Sequence, residues 1–187
     1  MKKQKGSRAD TFQSGDIGFK KEEYLNKEQK KALKEEFDYF IQKNAYSGQK
    51  IKGNYLIAYS LEYARNLTYP GEGGPEWKEL HEENAHIGIA VHDATDLHFV
   101  AGLTVFVTVL DKDGLTIGSF EHPLLQRPNL YHYGRNWILP GDGKYTLQVR
   151  VETPENMLQD EKSGKIYTTP VEVVFKNVTI KTGQKIV

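Results

Sequence analysis

Residues 145–152 alternate without a break. Tyr145, Leu147, Val149 and Val151 are apolar, and Thr146, Gln148, Arg150 and Glu152 are polar. Such a segment can only be a strand with one face on a core and one face in water. Further stretches read the same way. Residues 85–91 place Ile87, Ile89 and Val91 on one face, and residues 104–110 carry valines and Phe106. Asp111-Lys112-Asp113-Gly114 is a hairpin turn into a returning strand at 115–120, and residues 171–180 close the series. Short strands at this spacing predict an all-β protein, an immunoglobulin-like antiparallel β-sandwich over residues 50–187.

The chain before the sandwich has a different pattern. Residues 1–20 are polar with scattered glycines and read as a flexible arm. An N-terminal amphipathic helix is predicted over 21–48. Tyr24, Leu25, Ala32, Leu33, Phe37, Phe40 and Ile41 recur at helical spacing from about 22 to 44, with Asn44 and Gly48 as stop signals. Residues 51–67 read as one strand, because Tyr55, Ile57, Tyr59, Leu61 and Tyr63 alternate. The run Tyr69-Pro70-Gly71-Glu72-Gly73-Gly74-Pro75 reads as a loop, and 76–83 as a short helical turn.

Charge balances at 25 basic and 25 acidic residues, which argues against nucleic acid as a partner. Beneath the balance, residues 1–52 are net basic and 53–187 net acidic, a weak pointer to cation handling. With no cysteine, disulfides, thiolate metal sites and cysteine nucleophiles are excluded. No apolar run reaches the roughly 20 residues of a transmembrane segment. The start, MKKQKGSRAD, has no apolar segment behind it, so export presupposes a leader already removed, and a lipid anchor lost with that leader is compatible with the chain.

All six histidines lie between His81 and His132. That clustering makes a metal site the first functional expectation. His86 and His92 share a face of one strand but stand ~20 Å apart on it, so they join one site only through a bulge, serve two sites, or are exposed residues flanking a strand. The face they share with Gly88 and Ala90 reads as small and open. Glu121-His122 follows a strand end, His132 lies between Tyr131 and Tyr133, and His98 adjoins the site strands, whereas His81 reads as a surface residue. Imidazole with carboxylate suits copper, iron or zinc. The chain lacks a G-x-S-x-G elbow, H-E-x-x-H, a Walker loop and G-x-G-x-x-G, so it does not read as an enzyme.

In order, the chain carries His86-x5-His92, Gly118-Ser119-Phe120, His132-Tyr133-Gly134-Arg135-Asn136 and Leu139-Pro140-Gly141-Asp142-Gly143-Lys144-Tyr145. Over roughly residues 54–180 this resembles the bacterial periplasmic iron-transport family, the Fe2+ transport proteins. The resemblance implies a copper-binding sandwich, in the periplasm or at the cell surface, that assists iron uptake beside a membrane iron permease and often forms a homodimer. It also implies that His86, His92 and His132 ligate the metal. Two positions depart from the pattern. Gly88 stands where the family has a carboxylate, and Glu121-His122-Pro123 stands where it has a methionine. The expected ligand set is therefore His86, His92, His122 and His132, assisted by Glu121, with His98 nearby and Cu or Fe as the ion (Zn as a third candidate). A second expectation is a non-metal binding or adhesion module that uses a tyrosine-rich surface and has dispersed histidines.

Overall fold

The computed structural model describes residues 26–42, 47–127, 130–153 and 167–185. The expected arm over 1–20 and the stop signal Asn44 lie outside these residues. One helix, α1 (Lys27–Gln42), precedes β1 (Ser47–Lys52), β2 (Tyr55–Glu62), β3 (Leu67–Gly71), β4 (Gly74–Lys78), β5 (Ala85–Asp93), β6 (Thr104–Leu110), β7 (Thr116–Glu121), β8 (Leu124–Arg127), β9 (Leu130–Trp137), β10 (Gly143–Glu152) and β11 (Val171–Ile180). The chain is an antiparallel β-sandwich. One sheet runs β1-β2-β5-β9-β8, the other β11-β10-β6-β7, and β3-β4 is a separate hairpin.

The alternation in β10 is what joins the layers. Leu147, Val149 and Val151 pair in register with Val109, Val107 and Val105 of β6, and all six are fully buried. Against them pack Ile57, Ile87, Ile89 and Val91 of the first sheet. Full burial of a Val or Ile side chain stabilises by roughly 1.5–3 kcal/mol, so this stripe dominates the fold. The hairpin between β6 and β7 forms as expected. Asp111 Oδ1 accepts the amides of Asp113 and Leu115, each at 2.9 Å, and Gly114 takes a φ of 84°.

Three local expectations differ from the structure. The strand read over 51–67 is instead a hairpin that breaks at Gly53, where φ is 59°, so that Gly48 lies inside β1 and not at a helix stop. The supposed loop at 69–75 is the β3–β4 hairpin. Its two prolines face each other, Pro70 opposite Pro75, and on a two-stranded ribbon each can turn its donor-less edge outward. The helical turn read at 76–83 is absent. Residues up to Lys78 belong to β4, and side chains capture the next amides, Leu80 by Asn66 Oδ1 and His81 by Glu83 Oε2, each at 2.9 Å.

The outer face of β5 is not open. Helix α1 starts with a reciprocal capping box, in which Asn26 Oδ1 accepts the Gln29 amide and Gln29 Oε1 the Asn26 amide, both at 2.9 Å. Its buried stripe is Phe37 and Phe40, one turn apart. They pack with Leu56 and Ala58 of β2, Ala90 of β5 and Leu130 of β9. Both faces of β5 are thus covered, and all nine of its residues are buried.

Strand β9, not anticipated as a full strand, runs in the middle of the first sheet. Tyr133 points from it into the core, where its hydroxyl accepts the Leu103 amide and donates to the Val100 carbonyl, each at 3.0 Å. A Tyr133→Phe substitution strands that buried amide and carbonyl. It should lower unfolding stability by about 1–3 kcal/mol in urea titration.

Candidate metal centre

Register decides which histidines meet. In the β5–β9 ladder His86 pairs with Asn136 and Gly88 with Gly134. His132, two residues before Gly134 on the same face, leans across the two glycines. A Cβ at Gly134 would lie 2.9 Å from His132 Nε2, and one at Gly88 would lie 3.2 Å from His132 Cδ2 and 2.8 Å from Ser60 Oγ. The paired glycines are therefore the bed on which the imidazole rests. They bring His132 Nε2 to 3.4 Å from His86 Nε2, with both residues about 98–99% buried.

The proton on His86 is fixed from behind. Asn136 Nδ2 donates to the Arg65 carbonyl at 2.7 Å, and its backbone amide donates to the Tyr69 hydroxyl at 3.0 Å. That leaves Asn136 Oδ1 facing His86 Nδ1 at 3.0 Å. An amide oxygen only accepts, so the proton sits on Nδ1 and the Nε2 lone pair points at His132. A histidine held by an outer acceptor with its inner nitrogen bare is how metal-binding imidazoles are oriented. The 3.4 Å separation is also what two ligands about 2.0–2.1 Å from one ion span at a near-tetrahedral angle. Burial lowers the pKa of His86, against the opposing pull of Asn136 and Glu62, and so keeps it neutral.

The other expected residues lie elsewhere. His122 is buried, but its Nε2 accepts the Trp137 indole N–H at 3.1 Å, so that lone pair is already taken. Burial, then the charges of His86 and Arg135, push its pKa down to about 3. Glu121 is exposed on β7. It lines a cleft of about 660 Å3 with Tyr69, Glu83, Pro123, Arg135 and Asn136, so it approaches the back of the site through Asn136 and not the facing nitrogens. His92 is at the far end of β5. Its Nδ1 donates to the Leu97 carbonyl at 2.7 Å, and its ring lies edge-on to Phe37 and Phe99 at 4.9 and 5.5 Å. Burial pushes its pKa down to about 4. His98 is near that end too. Asp93, Asp96 and His98 form the group, among the described residues, whose three ligand atoms lie within 4.8 Å of one another. Its atoms are already engaged: Tyr167 donates to Asp93 Oδ2 at 2.6 Å, and His98 Nδ1 meets Asp96 Oδ1 at 2.5 Å. His81 is exposed, as read.

Residue patterns alone missed the supporting parts. Asn136 was visible as the end of His-Tyr-Gly-Arg-Asn, but its role needs the β5–β9 register. Phe40 was visible as a helix-stripe residue with no sign of what it covers.

A two-sheet antiparallel sandwich with a buried imidazole pair on its covered outer face describes the class. The Fe2+ transport protein model matches residues 76–181, more than half the chain, and the chain belongs to that family. The match begins after α1 and the first three strands. The fold is similar to that of FetP from uropathogenic Escherichia coli strain F11, at 14% identity and a TM-score of 0.56, covering 73% of this chain and 95% of that one. It is likewise similar to copper-reconstituted P19 from Campylobacter jejuni, at 16% identity and a TM-score of 0.56, covering 75% and 97%. No curated sequence relative matches.

Two tests follow from this geometry. His92 and His122 have folded pKa values near 4 and 3 against 6.5 when free. The unfolded chain therefore binds protons that the fold refuses. Stability is full above about pH 6.5 and falls as pH drops toward 4, by a few kcal/mol in all. Urea midpoints of metal-free protein at pH 7 and 4.5 measure this, and His92→Leu should lose less between them than the wild type. Asn136→Ala should release the His86 tautomer. Nitrogen-15 NMR of the imidazole then shows a mixed Nδ1–H and Nε2–H population in place of Nδ1–H alone.

Proposed function

We propose that this is an exported, non-enzymatic metal-binding protein. It captures a copper or iron ion between His86 Nε2 and His132 Nε2 and passes it to a membrane iron permease. The observation that carries this reading is the pair of buried nitrogens 3.4 Å apart, one of them with its lone pair fixed inward by Asn136. Membership of the Fe2+ transport protein family supports transport as the context. Copper-bound structures of P19 support copper as an ion that this fold accommodates, and FetP expressed in the periplasm supports export. Among the described residues no helix is long and apolar enough to cross a membrane.

His122 and Glu121 contribute around the site, not in it. His122 holds Trp137, and Glu121 lines the cleft behind Asn136, which would serve as an approach for cations. His92 and His98 belong to the far end of β5. The alternative reading, an adhesion module with dispersed histidines, is disfavoured by the His86–His132 pair.

Competition titrations with copper and iron ions against a chelator test the proposal. His86→Ala and His132→Ala should each weaken binding by at least about 100-fold, because each removes one of two ligands. Circular dichroism checks that the variants stay folded. Unchanged affinity in both folded variants would refute the site.

A further inference from the structure

Both capture histidines are closed off. His86 is 1% exposed and His132 2%, so no ion reaches their Nε2 atoms unless some element moves. The elements around the pair are held in different ways. Asn136, behind His86, is on β9, and Leu125, opposite His132, is on β8. Backbone ladders hold both strands. Over the outer face lies α1. Its Phe40 ring centre is 6.3 Å from that of His132, and Phe40 Cε2 lies 3.6 Å from the point where a side chain at Gly88 would begin.

A helix spends its backbone hydrogen bonds on itself, so α1 docks through side chains. Residues 26–32 are all exposed. The packing is made by the second half of the helix, through Phe37 and Phe40 with Ile41 beside them. The ion pairs Lys31–Glu35 and Lys34–Asp38 run along the helix and not to the sheet. Ser47 Oγ donates to the Ile41 carbonyl at 3.0 Å, which ties the C-terminal end of α1 to β1. A helix of 16 residues is marginal in water by itself, so α1 depends on this docking. Local opening is easiest where buried apolar contact is least, and α1 carries less of it than β5 or β10.

We propose that α1 is the gate of the capture site. It lifts off β2 and β5 as a unit, with its C-terminal end tied at Ser47, and admits the ion to His86 and His132. It closes again when Phe37 and Phe40 return to Leu56, Ala58 and Ala90. This rests on the capture site proposed above and adds the route by which that site fills. The competing routes are a side entry past Leu125, on the four-residue edge strand β8, and an entry past Asn136 from the cleft behind it.

Diethyl pyrocarbonate acylates an accessible neutral imidazole, and mass spectrometry places each adduct, so the metal-free full chain reports its own openings. His122, just as buried but held on Trp137 inside the sandwich, is the reference. Phe37 lies against His92, one helical turn from Phe40, so a gain at His132 on changing Phe37 is transmitted by the helix as a whole. Phe37→Ala should raise the acylation rate of His132 at least about tenfold, with His122 unchanged. Phe37→Leu should move it the same way by less, and serves where the alanine variant does not fold. In the wild type, amide exchange of residues 33–41 should run ahead of that in β5 and β10. Stopped-flow mixing with copper ions should show association faster in the Phe37 variants by about the factor seen in acylation. His132 acylation unchanged in the folded variants, or rising only together with that of His122, would overturn the gate. Raised acylation with copper association unchanged would overturn it too, in favour of a side entry. Raised acylation of His132 alone, with no copper bound even by the wild type, would support the lifting helix and overturn the capture site.

Discussion

An imidazole can lie flat across a β-sheet only where the strands beneath it carry no side chains. Gly88 and Gly134 meet that condition at one point, because the β5–β9 register sets them opposite each other. With a Cβ at either position His132 would have to swing away, since the contacts would fall to 2.9–3.2 Å. The 3.4 Å approach to His86 depends on that glycine pair, and the same register sets Asn136 opposite His86. Gly88, which reads as a lost carboxylate in one dimension, is in three the space that His132 leans across.

The second constraint is electrical. Burial lowers the pKa of His86, His92 and His122, and each of the three spends one nitrogen on a structural acceptor or donor. His86 gives Nδ1 to Asn136 and His92 gives Nδ1 to Leu97, while His122 gives Nε2 to Trp137. What distinguishes them is where the remaining nitrogen points. Only in the first case does a second imidazole nitrogen of the described residues stand opposite. Convergence, and not the number of histidines, separates the pair from its neighbours.

Much of the fold was legible. The alternation of β10, the apolar runs of β5 and β6 and the Asp-Lys-Asp-Gly turn each force a local structure, and together they leave little besides a sandwich. The errors fall where local rules compete with pairing. Prolines and glycines at 69–75 argued for a loop, yet a two-stranded ribbon has outer edges that tolerate both. Gly134, Arg135 and Asn136 hid β9, because a strand covered on both faces need not alternate. At the site, the period of β5 set His86 and His92 ~20 Å apart unless a bulge intervened, while the family resemblance put both in one ligand set; the regular β5 ladder contains no such bulge. The register that joins His86 to His132, and the Trp137 contact that occupies His122, are long-range facts that no spacing encodes.

Helix α1 lies outside the stretch that matches the family, yet it supplies the roof. Its polar side is solvated, and its grip on the sheet is two phenylalanines and a few aliphatic neighbours. Without it, the outer face of β5 would be wet and an ion at His86 and His132 could keep part of its water shell. With it, that face is apolar, and the Phe40 ring centre lies 6.3 Å from that of His132. Phe40, a residue outside the matched motifs in sequence, packs in space on Leu56, Ala58, Ala90 and Leu130 as well as beside the His132 ring.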